Sequence, residues 1–399
     1  MNILLLDDEP FVLQVLAHQL RNLGCEHITL CERPNDALAI IGDHAGEIDL
    51  TFCDLNMPEM DGVEFVRHLV GTGYAGALVL VSGEDERILQ TVKNLARAHH
   101  LNVIGALHKP VSPDQLRQVL DTFAAKKVEV VRAPSKTYGP DELRRAIAQG
   151  ELVNHYQPKV SVATGSVAGV ETLVRWLHPQ DGLVFPDQFI PVAEEHDLID
   201  DLTQAVLSKA LDQARIWLDA GLSLHLAVNV SMDNLRALDF PDRVAQMAAA
   251  AGLPLPNLVL EVTESKLMKD PLSALDILTR LRLKRIGLSI DDFGTGHSSL
   301  TQLRDIPFDE LKVDRSFVHG AWNNGQLGAI FSANLNMAQH LGLRTVAEGV
   351  EDAKDWDFLV QAGCDMAQGY FIARPMPGAE LGAWMASWRQ RRSAPPTPD

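Results

Sequence analysis

The sequence predicts two α/β domains in series: an open, doubly wound parallel sheet, then a modified (β/α)8 barrel with one antiparallel strand. Over residues 1–122, short apolar β-type runs alternate with amphipathic helical patterns, which is the signature of βαβ units. Over residues 139–388, about eight strand candidates alternate with helical stretches across roughly 250 residues, the size and rhythm of a barrel. The chain length of 399 residues fits two or three domains at ~150 residues each.

Composition narrows the field. Apolar residues make up 46% and charged residues 22%, which excludes a mostly disordered or collagen-like chain. Lys and Arg number 35 against 53 Asp and Glu, a net charge of −18. That surface disfavours DNA, RNA and anionic lipid, and an anionic ligand would need cations at its site. Cys25, Cys31, Cys53 and Cys364 show no paired spacing, so neither a disulfide framework nor structural zinc is expected. No apolar run nears the ~20 residues that span a bilayer, and no signal peptide is expected. The expected compartment is the reducing cytoplasm, with no membrane partner.

The first domain takes its strands from the runs 3–6, 48–53, 78–81 and 103–107, with helical patterns such as 11–23 and 63–70 between them. Residues 123–138 are more basic, contain Pro134 and Ser135, and read as a linker whose first half allows a helix. The second domain opens with strands 153–162 and 167–176. They are joined by a turn around Thr164-Gly165 too short for a crossover helix, so the pair is antiparallel. Further strands are read at 224–230, 258–262, 286–291, 310–313, 344–347 and 366–371. The charged, proline-rich stretch 389–399 reads as a disordered tail.

Polar residues collect at the ends of the first domain's strands. Asp7, Asp8 and Glu9 follow the first, Asp54 follows a later one, Ser82 ends the next, and Lys109-Pro110 ends the last. Strand C-termini of an open parallel sheet meet at one edge, where sites form. Clustered carboxylates there suit Mg²⁺, Asp54 could act as a nucleophile toward a phosphoryl donor, and Ser82 and Lys109 could hold phosphoryl oxygens. Singly, Asp7 and Asp8 could cap a helix and Asp54 could start a turn. The joint pattern at four strand ends favours the site.

On Asp7-Asp8-Glu9-Pro10, Asp54-Leu55-Asn56-Met57-Pro58 with Asp61-Gly62, Ser82-Gly83 and Lys109-Pro110, this segment resembles a response-regulator receiver domain. The resemblance implies a flavodoxin-like fold, Asp54 as phosphoacceptor, Asp8 and Asp54 at one Mg²⁺ with Asp7 beside them, and a sensor histidine kinase as partner. Ala106 departs from it, since receivers often carry an aromatic three residues before the lysine.

The barrel segment repeats the pattern. Glu171, Asn229, Glu261, Asp291 with Asp292, Lys312, Glu348 and Gln368 each belong to or adjoin an apolar β run. Barrel strands aim their C-termini at one mouth, so five carboxylates would converge there with Lys312. Such a cluster demands cations, and oxygen ligands favour Mg²⁺, Mn²⁺ or Ca²⁺ over zinc. Asp291 and Asp292 together could serve two metals, which can activate water against a phosphoester; Lys312 could orient that water or offset developing charge. Singly, Asn229 could satisfy a core strand, Glu348 could sit in a helix's first turn, and Gly294 and Gly296 could be turn glycines. The series over six or more strand ends favours a catalytic mouth.

On Tyr156-Gln157-Pro158-Lys159, Glu171-Thr172-Leu173-Val174-Arg175-Trp176, Asn229-Val230-Ser231, Glu261-Val262-Thr263-Glu264, Asp291-Asp292-Phe293-Gly294-Thr295-Gly296, Lys312-Val313-Asp314, Glu348-Gly349-Val350-Glu351 and Gln368-Gly369-Tyr370, residues 139–388 resemble an EAL-type cyclic-di-GMP phosphodiesterase domain. The resemblance implies hydrolysis of cyclic-di-GMP to linear pGpG with two Mg²⁺ or Mn²⁺. Glu171, Asn229, Glu261 and Asp291 would bind one metal, and Asp291, Asp292 and Glu348 the other. Lys312 would sit at the water, with Arg175, Gln368 and Asp314 at or near the substrate, while Glu264 braces the loop 293–299. A homo-oligomer controlled by receiver phosphorylation, with that loop receiving the signal, is the regulatory expectation. Two departures are Thr172, where the family has Ala, and His297, where it usually has Tyr. Strand alternation predicts that Thr172 points away from Glu171's face. A non-catalytic cyclic-di-GMP sensor or a phosphorylation-controlled scaffold are the alternatives; neither requires the full carboxylate set with Lys312.

Overall fold

The computed structural model describes every residue except 44–45, 84–85, 100, 131–137, 264–270, 295–299 and 394–399. Contacts divide the chain into two compact units, 1–135 and 136–399.

In the first unit, β1 (Asn2–Leu6), β2 (His27–Cys31), β3 (Leu50–Asp54), β4 (Ala77–Ser82) and β5 (Asn102–His108) form a parallel sheet in the order β2-β1-β3-β4-β5. Side chains alternate across it. Leu4 and Leu6 join the core on one face, while Ile3 and Leu5 join the core on the other. The strand order reverses between β1 and β3, and ligands bind at such a switch point. Asp7 and Asp54 therefore flank the predicted crevice. The strand β2 was not legible as an apolar run: it lies at the sheet edge, and its His27 is exposed. Asp61 caps the helix Gly62–Gly71 by accepting from Glu64 N at 2.8 Å. A Cβ on Gly62 would come within 2.9 Å of the Asp54 carbonyl oxygen and 2.7 Å of Leu55 Cα, so only glycine lets this helix start so close to Asp54. The helix Pro113–Val130 runs on into the stretch read as a linker.

In the second unit, β6 (Leu152–Ser161) and β7 (Val167–His178) form the expected hairpin. There follow β8 (Gly182–Val184), β9 (His225–Asn229), β10 (Leu258–Thr263), β11 (Gly287–Phe293), β12 (Glu310–Val313), β13 (Arg344–Ala347), β14 (Met366–Ala367) and β15 (Met376–Pro377). Eight strands close in the order β6-β14-β13-β12-β11-β10-β9-β7, with β6 antiparallel to both neighbours and the others parallel; β8 and β15 add to the ends of β7 and β6. Alternation separates two faces. Leu258, Leu260, Val262, Leu288, Ile290, Leu311 and Val313 belong to the apolar core, while the intervening Glu261, Ser289, Asp291, Glu310 and Lys312 are buried polar residues.

Two expectations need correction. The strand read at 366–371 ends at Ala367; beyond it the chain turns, Ile372 N donating to the Gly369 carbonyl at 3.1 Å, and the close approach of Gly369 to the Val350 backbone leaves no room for a Cβ. The tail read as disordered from 389 is helical to Ser393, since the helix Leu381–Ser393 extends past Trp388. The Trp388 indole is buried and donates to the Gly165 carbonyl at 2.8 Å, and the Arg391 guanidinium lies 5.1 Å from its ring centre. Residues 394–399 lie outside the described residues. Among the described residues, no helix is long and apolar enough to cross a membrane.

Candidate active site

At the first unit's sheet edge, one carboxylate oxygen each from Asp7, Asp8 and Asp54 lie within 4.8 Å of one another. The Lys109 ammonium bridges two of them, 2.8 Å from Asp7 Oδ2 and 3.0 Å from Asp54 Oδ1. Burial raises the Asp54 carboxyl above its ordinary range against the opposing pull of Lys109. Ser82 is buried at the end of β4, and its carbonyl accepts from the Lys109 backbone at 2.8 Å. The topology has thus brought Asp7, Asp8, Asp54, Ser82 and Lys109, which begin far apart in sequence, to one edge. Ala106 is half-buried on β5.

At the barrel mouth, the Lys312 ammonium is surrounded. It lies 2.8 Å from Glu348 Oε1, 3.0 Å from Glu261 Oε2, 3.0 Å from Asp291 Oδ2 and 3.6 Å from Glu171 Oε2. Glu171 also accepts from Asn229 Nδ2 at 2.9 Å and from Gln368 Nε2 at 2.6 Å. Asp291 Oδ1 accepts from the Asp292 backbone at 2.8 Å. Glu171, Glu261 and Asp291 offer oxygens within 4.8 Å of one another, and so do Asp291, Asp292 and Glu348. Asp291 belongs to both sets. Oxygen-only donor sets that share a carboxylate fit two hard divalent cations.

The electrostatics show the same demand. Burial lifts the Glu348 carboxyl to about 8, with Asp291 and Glu171 adding to the shift and Lys312 opposing it. Burial also raises Glu171. Burial would raise Glu261 too, but Lys159 and Lys312 outweigh it and hold that carboxyl at about 2. Two buried carboxyls are therefore uncomfortable as anions until more positive charge arrives.

A cavity of 320 Å³ opens above this cluster, lined by Glu171, Asp291, Asp292, Lys312, Asp314, Glu348 and Gln368 among others. Asn229 and Glu261 are not in this lining and meet the cluster through Glu171 and Lys312 respectively. Asp314 also caps the short helix Arg315–Val318 by accepting from Ser316 N at 2.9 Å. Arg175 lies outside this lining; its guanidinium donates to the Val174 carbonyl at 2.8 Å and rests 5.0 Å from the Phe185 ring centre. A second cavity of 260 Å³, mostly apolar, is lined by Asn229, Thr172, Leu173, Pro186 and Ile190 among others. Thr172 lines that cavity and not the mouth. Glu264, His297 and residues 295–299 of the expected signalling loop lie outside the described residues.

Sequence reasoning left Gln157, Tyr370, Lys159 and Glu310 without a role. Gln157 lines the mouth and accepts from Gln368 Nε2 at 2.9 Å, and Tyr370 stands exposed at the rim with the Arg374 guanidinium 4.4 Å from its ring centre. Lys159 pairs with Glu261 and Glu310 inside the barrel. The available signal was Gln157 and Lys159 two residues apart on one face of β6, and Glu310 and Lys312 likewise on β12.

Comparisons with known proteins agree with this geometry. A family model described as the EAL domain matches residues 141–375, and one described as the response regulator receiver domain matches residues 3–121. The cyclic di-GMP phosphodiesterase RocR of Pseudomonas aeruginosa is 34% identical over 383 residues, covering 94% of this chain and 96% of RocR. The bifunctional diguanylate cyclase/cyclic di-GMP phosphodiesterase MucR of the same organism is 43% identical over 246 residues, 61% of this chain and 36% of MucR. A solved MucR phosphodiesterase structure in complex with c-di-GMP has a TM-score of 0.58 at 42% identity, covering 60% of this chain and 98% of that one. The chain belongs to the EAL domain family and carries a response regulator receiver domain ahead of its EAL barrel.

Proposed function

We propose that this chain is a response regulator that hydrolyses one phosphodiester bond of cyclic-di-GMP, releasing linear pGpG, and that phosphorylation of Asp54 modulates the rate. The observation that carries the reading is the convergence of two oxygen donor sets, sharing Asp291, around Lys312 at one barrel mouth. RocR, alike over nearly the whole of both chains, is a cyclic di-GMP phosphodiesterase by name, and the MucR structure holds c-di-GMP.

Glu171, Asn229, Glu261 and Asp291 would hold one divalent cation, Mg²⁺ or Mn²⁺, and Asp291, Asp292 and Glu348 a second. Bound there, such ions supply charge neutralisation for the diester and an acidic water. Asn229 presents its amide nitrogen to Glu171; turning the amide end for end would present Oδ1 instead. Lys312 pairs with Glu171, Glu261, Asp291 and Glu348, so its ammonium is placed to orient the attacking water and offset charge developing on the phosphoryl oxygens. Gln368 and Gln157 hold Glu171's flank through consecutive amide hydrogen bonds. In this reading the neighbouring apolar cavity lined by Leu173 and Ile190 and the exposed Tyr370 ring would take nucleobases, and Asp314, in the mouth lining, would stand near the ligand, whereas Arg175 lines neither cavity.

In the receiver, Asp54 would attack a phosphoryl donor such as a histidine kinase's phosphohistidine. Asp7 and Asp8 would hold Mg²⁺ with it, and Ser82 and Lys109 would take the phosphoryl oxygens. The test is incubation with cyclic-di-GMP and Mg²⁺ followed by chromatographic separation. The reading expects pGpG; unchanged substrate that remains bound would make the barrel a sensor instead.

A further inference from the structure

We propose that Lys159 is a positioning residue for the barrel mouth: it fixes the carboxylate of Glu261 from within the barrel. The inference rests on the reading of Glu261 as a cation ligand. Lys159 lies on β6 opposite Gly169, one same-face step deeper than Gln157, which lies opposite Glu171. It is 4% exposed and absent from the mouth lining. Its ammonium donates to Glu261 Oε1 at 2.6 Å and to Glu310 Oε1 at 2.8 Å. Glu310 Oε1 also accepts from Ser289 Oγ at 3.1 Å, and Glu310 Oε2 lies 4.0 Å from Arg344 Nη2. Glu261 Oε2 is taken by Lys312 at 3.0 Å.

Glu261 is therefore held at both oxygens by ammonium groups from two other strands, β6 and β12. The terminal torsion of a glutamate is broad and two-fold, so a carboxylate tethered at one oxygen is free to turn. Lys312 is shared among four carboxylates and is poorly placed to hold Glu261 alone. Filling space does not account for Lys159 either. Barrel interiors are ordinarily packed with branched apolar side chains, and replacing a buried ion pair by apolar groups is often neutral or stabilising. What Lys159 adds beyond its pair with Glu310 is the contact to Glu261.

The test uses the full chain as Lys159→Met and as Lys159→Met with Glu310→Gln, the second change neutralising the carboxylate that the first leaves unpaired. Mn²⁺ binding is measured by electron paramagnetic resonance of the free ion, without cyclic-di-GMP. Both variants should bind Mn²⁺ at least ~10-fold more weakly than wild type, as expected when a group that orients a metal ligand is lost. At saturating Mg²⁺, kcat should fall while KM changes by less than ~3-fold, because Lys159 touches no substrate. The double variant should melt close to wild type, which keeps the measurement valid if the single variant folds poorly. Wild-type Mn²⁺ affinity in the double variant overturns the proposal and leaves Lys159 as a partner for Glu310 alone. A wild-type chain that binds no Mn²⁺ overturns the cation reading together with it.

Discussion

Replacing Lys312 with methionine keeps most of the side-chain volume and removes one ammonium from the centre of four carboxylates. The structure shows which groups lose a partner. Glu261 keeps Lys159, Glu171 keeps Asn229 and Gln368, and Asp291 keeps the Asp292 backbone. Glu348 loses its 2.8 Å ion pair. Breaking a buried pair in this way costs ~3–5 kcal/mol when the remaining charge stays uncompensated. Glu348 can relieve part of that by taking a proton, since burial already lifts its carboxyl to about 8, so the loss should lie at the low end, about 3 kcal/mol. For a barrel of this size that is a fall of roughly 6–12 °C in melting temperature in chelator. Added Mg²⁺ should recover part of it, because the freed carboxylates become cation ligands. Turnover should fall at least ~100-fold with KM nearly unchanged, since the lysine's role lies mainly in the transition state. The assays are thermal melts with EDTA and with Mg²⁺, and steady-state hydrolysis of cyclic-di-GMP. A variant that melts with wild type in EDTA would refute the charge argument. A raised KM with unchanged kcat would make Lys312 a substrate-binding group.

Glu171→Ala should lower hydrolysis at least ~100-fold, and Ca²⁺ should occupy the same oxygens while supporting little turnover, because its larger, looser shell positions water poorly. Undiminished hydrolysis by Glu171→Ala would sink the two-cation reading. Beryllofluoride should change turnover in wild type and not in Asp54→Asn; equal rates in all four samples, with beryllofluoride binding confirmed in wild type, would reject control by the receiver. His319 Nδ1 pairs with buried Asp355 at 2.9 Å; that hydrogen bond raises the imidazole, while the His319 and backbone hydrogen bonds to Asp355 outweigh burial and lower the carboxyl. The raised histidine contributes stability below its unfolded value of ~6.5 and loses it as pH rises through the folded one; the depressed aspartate contributes above ~3.9 and loses it as pH falls through the folded one. The stability difference between wild type and His319→Gln, read from urea midpoints, should therefore be largest between about pH 4 and 6.5 and shrink by pH 8. A difference that stays flat across that range would count against the pair.

Much of the candidate site was legible because strand ends carry their chemistry in local sequence. Glu261, Asp291, Lys312 and Glu348 each interrupt or end an apolar β run, and one topological fact, that barrel strands share a mouth, brings them together. The residues left without a role were those whose meaning depends on a partner far along the chain. Lys159 reads as an ordinary polar residue in a strand until Glu261 and Glu310, more than one hundred residues away, are found beside it. The tail was misread for a similar reason: Trp388 anchors its helix through Gly165, 223 residues earlier.

The sequence by itself determined the two fold classes, the hairpin that opens the barrel and the polar residues that gather at the strand ends of each domain. Those follow from periodicity, turn length and position within a strand, which are local properties. Only the tertiary structure decided which carboxylate shares which ammonium, and that Arg175 lies outside the mouth lining. Burial made the difference. Once water is excluded, each charge must find its compensation among whatever side chains the closed barrel places within about 3 Å, and strand order and register settle that choice.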